Sequence, residues 1–250
     1  MRSNLRFSAA AQTHEGRVRT VNEDSMIVRS DMGLWAVADG MGGHENGQWA
    51  SRAIIEALAE ITATGDFETD LANARAALST ANLRIQTEAD SRGKRMGSTV
   101  VMLMADGASY ACAWVGDSRA YRLRDRRLER LTRDHTQVQD MIDRGLLTEE
   151  TAAGHPMSHV LSRAVGVEDD LRVDVVTGEL RTPDIYLLCS DGLSGLVSPE
   201  EIEARLLASD PATAARELLE LTLSRNAPDN VTIITVACEE MTALTLPGAV

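Results

Sequence analysis

Leu34-Trp35-Ala36-Val37-Ala38-Asp39-Gly40-Met41-Gly42-Gly43-His44 decides the fold class. The apolar run 34–38 is short, holds aromatic and branched residues, and stops at Asp39. It reads as a buried strand carrying a carboxylate at its end. The pattern recurs. Cys112-Ala113-Trp114-Val115 stops at Gly116-Asp117, and Ile185-Tyr186-Leu187-Leu188-Cys189 stops at Ser190-Asp191-Gly192. It also runs in reverse, with Asp229-Asn230 opening Val231-Thr232-Ile233-Ile234-Thr235-Val236. One Asp-Gly pair alone reads as a turn; several such aspartates, each abutting a core strand, do not. Carboxylates at the ends of neighbouring strands converge on one small volume. There they repel and raise one another's pKa unless a cation separates them. An all-oxygen site suits hard cations such as Mg²⁺ or Mn²⁺.

Around these runs the periodicity changes twice. Residues 5–13 and 25–38 read as strands, with Gly33 in the turn. From Glu45, the positions Ala50, Ala53, Ile54, Ala57, Leu58 and Ile61 follow helical spacing. A second helix carries Leu71, Ala74, Leu78, Ala81 and Ile85 on one face, and 91–97 reads as a loop. Strands return at 98–105, 109–115, 119–124 and 128–131. The polar segment 132–166, with short helices at 135–144 and 148–153, interrupts them as a flap. Strands at 171–179 and 185–189, helices at 199–207 and 211–224, and a last strand at 231–238 complete the order. The expected architecture is α+β: two antiparallel sheets packed face to face, with helix pairs outside. One domain spans 1–240, followed by a C-terminal tail at 241–250.

Composition narrows the function. The chain has 250 residues, 44% of them apolar, which is enough for a sizeable core. The net charge of −13 argues against nucleic acid, which needs a basic surface, and 3% aromatic content offers no base-stacking platform. The three cysteines, Cys112, Cys189 and Cys238, all fall in strand-like runs without zinc-type spacing. They read as buried thiols in a reducing compartment. The first twelve residues lack a signal-peptide core, and no run approaches the ~18 apolar residues of a membrane span. These features predict a soluble cytoplasmic protein, with a monomer as the default.

The ordered set of short motifs is more specific than any one of them. Arg19-x-x-Asn22-Glu23-Asp24 is followed by Ala38-Asp39-Gly40-Met41-Gly42-Gly43-His44, then Gly97-Ser98-Thr99 and Gly116-Asp117-Ser118-Arg119. Ser190-Asp191-Gly192-Leu193 and Asp229-Asn230 complete it. Over roughly residues 5–238 this resembles the PP2C (PPM) family of metal-dependent serine/threonine protein phosphatases, in its compact bacterial form. The resemblance implies an α-β-β-α sandwich with two Mn²⁺ or Mg²⁺ ions at one end. Asp39 would bridge both ions, the carbonyl of Gly40 would bind one, and Asp191 and Asp229 the other. Glu23 and Asp24 would act close by through metal-bound waters, and Arg19 would hold the substrate phosphate. An activated water would attack phosphorus in line with the leaving serine or threonine oxygen.

Two departures from the family pattern stand out. Asp117 matches a position contributing to a third, weaker metal, but Gly195 replaces that ion's usual second ligand, which argues against a third ion. Met41 stands where animal members carry a histidine, and Met cannot donate a proton. His44 is close enough in sequence to serve, or to be a loop histidine bonded to backbone. His135, His155 and His159 fall in the flap, where structural bonds are the simpler expectation. Ser98 and Thr99 read as fixing a core strand. The resemblance implies phosphorylated proteins and a cognate bacterial serine/threonine kinase as partners. A catalytically silent binding module would have lost Asp39, Asp191 or Asp229, and all are present. A nucleotide phosphoesterase is the other alternative, separable by assay on phosphopeptide and nucleotide.

Overall fold

The computed structural model describes residues 5–152 and 154–240; the expected tail at 241–250 lies outside them. In chain order, β1 (Leu5–His14), β2 (Asp24–Arg29) and β3 (Leu34–Met41) lead into the helices α1 (Glu45–Ala59) and α2 (Phe67–Arg92). β4 (Gly97–Ser98), β5 (Val100–Asp106), β6 (Ser109–Val115), β7 (Arg119–Arg124) and β8 (Arg127–Arg130) follow. The flap region contributes α3 (Gln137–Asp143) and α4 (Glu149–Ala152). β9 (Asp174–Glu179), β10 (Ile185–Cys189), α5 (Asp191–Ser194), α6 (Pro199–Ala208), α7 (Pro211–Ser224) and β11 (Val231–Glu240) complete the order.

One sheet runs β1-β11-β10-β7-β8 and the other β2-β3-β5-β6-β9, with β4 paired to β3. The paired strands are antiparallel throughout. Strand alternation divides the core into three layers. Leu34, Ala36 and Ala38 face α1 and α2, packing on Ile54, Leu58 and Leu78. Trp35, Val37, Leu103 and Cys112 face the other sheet and meet Tyr186, Leu188, Ile234 and Val236. Leu187, Cys189, Val231 and Ile233 face α6 and α7, packing on Ile202, Leu206 and Leu218. The α-β-β-α order expected from the sequence is therefore present.

Four local readings change. β3 does not stop at Asp39 but continues through Met41, because Gly40 and Met41 pair with Ser98 and Gly97. α2 continues to Arg92, ending where Gly93 takes a left-handed conformation that releases the chain from the helix. β9 begins at Asp174 rather than 171. A one-turn helix, α5, begins at Asp191, between the strand at 185–189 and the helix at 199–207, where the sequence reading assigns no element. Ser190 is extended there, so the chain turns abruptly from β10 into that helix.

Candidate active site

The inner faces of the sheets turn acidic at one end. Asp39 continues the Trp35–Val37 face of β3 by the two-residue period, so it projects at the mouth of the inter-sheet layer. Asp24 lies directly opposite it in the β2–β3 ladder. Asp191 stands at the first turn of α5, just past β10, and Asp229 just before β11. Asp117 occupies the β6–β7 connection. Together with Arg19, Glu23 and Gly40, the carboxylates Asp39, Asp117, Asp191 and Asp229 line a cleft of about 590 Å³. Asp24 is buried beneath them.

Electrostatics follow from this crowding. Burial pushes the Asp24 carboxyl up to about 7, against opposing hydrogen bonds, with Asp191 and Asp229 adding to the rise. Burial raises Asp39 well above the carboxylate range, and Asp24, Asp191 and Asp117 raise it further. Asp117 is pushed up to about 8 by burial and by Asp191. Asp191 is raised by burial and by Asp229. Like charges directly opposite on a ladder destabilise it, so this end of the sandwich is suited to hold positive charge. One oxygen identifies the need locally: Asp24 Oδ1 is buried without a hydrogen-bond partner. Its other oxygen accepts a 2.8 Å bond from Ser190 Oγ. Among the described residues, no three acidic, histidine or cysteine side chains already close on one point as a ligand set. Asp229 is instead clamped by Arg19, whose Nε and Nη2 donate to its two oxygens at 3.1 and 2.9 Å. The donor set is all carboxylate oxygen, which fits hard divalent cations.

The surrounding loops are tied down by polar residues. Asn230 is a hub: its Nδ2 donates to the carbonyls of Glu15 and Val21, and its Oδ1 accepts from the Glu23 amide at 2.8 Å. The loop bearing Arg19 is thereby fixed to the start of β11. Glu23 Oε1 accepts from the His44 amide at 2.8 Å, placing a carboxylate at the start of α1, where the helix dipole favours it. Thr99 hydrogen-bonds the Asp39 amide through Oγ1 at 3.1 Å and Ser118 Oγ at 2.7 Å, while Ser98 Oγ donates to the Asp39 carbonyl. These residues fix the strand, as the sequence suggested.

The histidines separate into different roles. His135 is structural: its Nδ1 accepts from the Gly116 amide at 3.0 Å, its Nε2 meets Asp174 at 3.1 Å, and its ring stacks on Trp114. His155 accepts from the nearby Met157 amide. His44 is not among the cleft-lining residues, whereas Met41, Gly42 and Gly43 are. His159, expected to serve the flap internally, instead lines the cleft, with Nδ1 3.9 Å from Asp191 Oδ2 and its side chain exposed. Sequence reading also missed Ser190 and Asn230 as individual supports. Ser190 could have been found from its place on the inner face one residue before Asp191; Asn230's three bonds join distant loops and had no local signal. The cysteines stay inert: all three are buried, and burial pushes Cys189 up to about 12.

A cleft floored by strand-end carboxylates, with an arginine beside them, is suited to hold divalent cations next to an anionic group. The chain belongs to the protein phosphatase 2C family, whose model matches residues 12–232. It is 39% identical over 93% of its length to the serine/threonine protein phosphatase PstP of Mycobacterium tuberculosis, but spans only 45% of that protein. It is 34% identical to the serine/threonine phosphatase stp of Listeria monocytogenes, covering 91% of this chain and 94% of stp. Among solved structures, PppA, a regulatory component of the T6SS in Pseudomonas aeruginosa, superposes with a TM-score of 0.88 at 39% identity, covering 94% of this chain and 98% of PppA. The PstP catalytic domain in complex with two manganese ions gives 0.81 at 37% identity, covering 94% and 99%.

Proposed function

We propose that this chain removes phosphate from phosphoserine and phosphothreonine in proteins, as a metal-dependent phosphatase opposing a bacterial serine/threonine kinase. The observation that carries the reading is the convergence of Asp24, Asp39, Asp117, Asp191 and Asp229 at one sheet end, beside Arg19. Asp39, Asp191, Asp229 and the Gly40 carbonyl would hold two Mn²⁺ or Mg²⁺ ions, with Glu23 and Asp24 contributing through water and no third ion at Asp117. Bound divalent ions supply Lewis acidity and a nucleophilic water at neutral pH.

The protein's own residues would do the rest. Arg19 holds the phosphoryl group: its Nη1 side is left over from the clamp on Asp229, and a cation competing for Asp229 would free the whole fork. Ser190 and Thr232 hold Asp24 in place, since Ser190 Oγ donates to Asp24 and accepts from the Thr232 amide at 2.9 Å. Residues 1–240 act as one phosphatase domain, with the flap at 132–166. The proposed setting is a cytoplasmic monomer acting on phosphoproteins; among the described residues no helix is long and apolar enough to cross a membrane.

The test is phosphate release from a phosphothreonine peptide by the wild type and Asp191→Asn, with and without Mn²⁺. Metal-dependent turnover that the variant lacks is expected. No turnover by folded wild type in millimolar Mn²⁺ would overturn the reading and favour a silent binding module.

A further inference from the structure

A second groove, of about 580 Å³, adjoins the catalytic cleft, and Met41 and Gly42 line both. It runs between the connection after α2 and the end of the flap segment. Its floor is apolar. A Cβ built on Gly97 would fall 2.8 Å from Met41 Cε and 3.0 Å from Val167 Cγ2, so these two side chains close over that glycine. Val167 remains 57% exposed at the edge of the groove. The wall is cationic. Lys94 and Arg95 are exposed there, and among the described residues neither has an ion-pair partner. Asp90 is the one carboxylate on the same rim.

The groove is preformed rather than an open loop. The Lys94 amide donates to the Ala89 carbonyl at 3.0 Å, closing the end of α2. The Ser98 and Val165 backbones exchange hydrogen bonds at 3.0 and 2.9 Å, pinning the flap's end to β4. Two unpaired cations over an apolar floor stand out on a chain of net charge −13. Elsewhere that charge would repel an acidic partner; here the local field would attract one.

We propose that this groove binds the substrate chain beside the phosphorylated residue and selects segments with acidic residues next to an apolar one. The assignment rests on the phosphatase reading. Continuity with the cleft means that a polypeptide with its phosphoryl group among the carboxylates has its neighbouring residues beside Met41. Val167 then takes an apolar side chain, and Lys94 and Arg95 take carboxylates.

The test compares wild type with the Lys94→Glu/Arg95→Glu double variant in saturating Mn²⁺. The substrates are p-nitrophenyl phosphate, too small to reach the groove, and two phosphothreonine peptides. One peptide carries Asp, Glu and Leu around the phosphothreonine, the other Lys and Gly. Wild type should prefer the acidic peptide by about three- to tenfold in kcat/KM, mostly through KM, as expected for a pair of exposed charge contacts. The double variant should lose that preference while its kcat/KM on p-nitrophenyl phosphate stays within about twofold of wild type. Val167→Ser should weaken the acidic peptide by about threefold, from the lost apolar contact. Equal use of both peptides by wild type, or a preference surviving in the double variant, would overturn the assignment. So would a solution dimer dissolved by the double variant with peptide preference unchanged, which would give the groove to a second copy of the chain. Loss of p-nitrophenyl phosphate turnover in wild type would instead strike at the phosphatase reading itself.

Discussion

Asp39 is the residue on which the chemistry and the cost of this site both fall. It faces Asp24 across the β2–β3 ladder and is crowded by Asp191 and Asp117. Under the proposed function, Asp39→Asn should lower kcat on a phosphothreonine peptide by at least about a hundredfold, because Asp39 would be a ligand to the activating cations. The same change should raise the melting temperature of the metal-free protein by about 2–4 °C, because folding no longer has to bury or protonate that carboxylate. Opposite signs for activity and stability are what a site that holds cations predicts; a loss of both would mean that Asp39 is chiefly structural. Arg19→Lys tests a different property. Lysine keeps the charge but not the planar fork, so KM for phosphopeptide should rise about tenfold. Thermal stability should barely move, because the Arg19–Asp229 pair is solvent-exposed on both sides. At this scale Asp39, Asp117, Asp191 and Asp229 were legible from sequence because each lies at the end of an apolar run, whereas Glu23 and Asp24 were picked out only by the family resemblance. His159 was not, because its approach to Asp191 depends on how the flap folds back.

At the scale of elements, the site is built by strands that run slightly past their apolar stretches. The two-residue alternation that makes Trp35 and Val37 core residues also aims Asp39 into the same layer. Gly40 permits the next step. A Cβ there would sit 2.0 Å from the Gly47 carbonyl oxygen and 2.7 Å from that of Glu23. Both are backbone atoms fixed by α1 and by the turn into β2. Gly40→Ala should therefore cost roughly 3 kcal/mol or more and abolish turnover, measured by denaturant unfolding and by peptide assay. The contrasting case is the capping box of α6, where Ser198 and Glu201 exchange hydrogen bonds far from the cleft. Ser198→Ala should cost about 1 kcal/mol and leave kcat unchanged. The helices and most strands were readable because their periodicities are clean. The extension of β3 to Met41 was not, since its partner Gly97-Ser98 is distant in sequence.

Across the whole molecule, the carboxylate ring makes stability depend jointly on pH and metal. Asp24 and Asp117 are held up to about 7 and about 8 in the folded protein, whereas an unfolded aspartate titrates near roughly 3.9. Between those values the folded state binds more protons. The stability that these groups contribute is therefore full below the unfolded pKa and is lost as pH rises through 7 and 8. His135 is lowered by burial and works in the opposite direction only below about pH 6.5, its unperturbed value. The melting temperature in a chelator should thus fall between about pH 6.5 and 8.5, and the fall should shrink in excess Mn²⁺, which replaces protons as the neutralising charge. An equal fall with and without the cation would separate the ring from metal binding. What the sequence alone determined was most of the strands and helices and the aspartates that end or open apolar runs, because local periodicity dictates strand, helix and the residue at a strand's end. Only the tertiary structure decided that Asp24 lies against Asp39, that Asn230 holds the Arg19 loop, that His159 reaches the cleft and that Lys94 and Arg95 border a groove. Each of these joins segments separated along the chain, and only packing of the two sheets and the flap brings them within reach of one another.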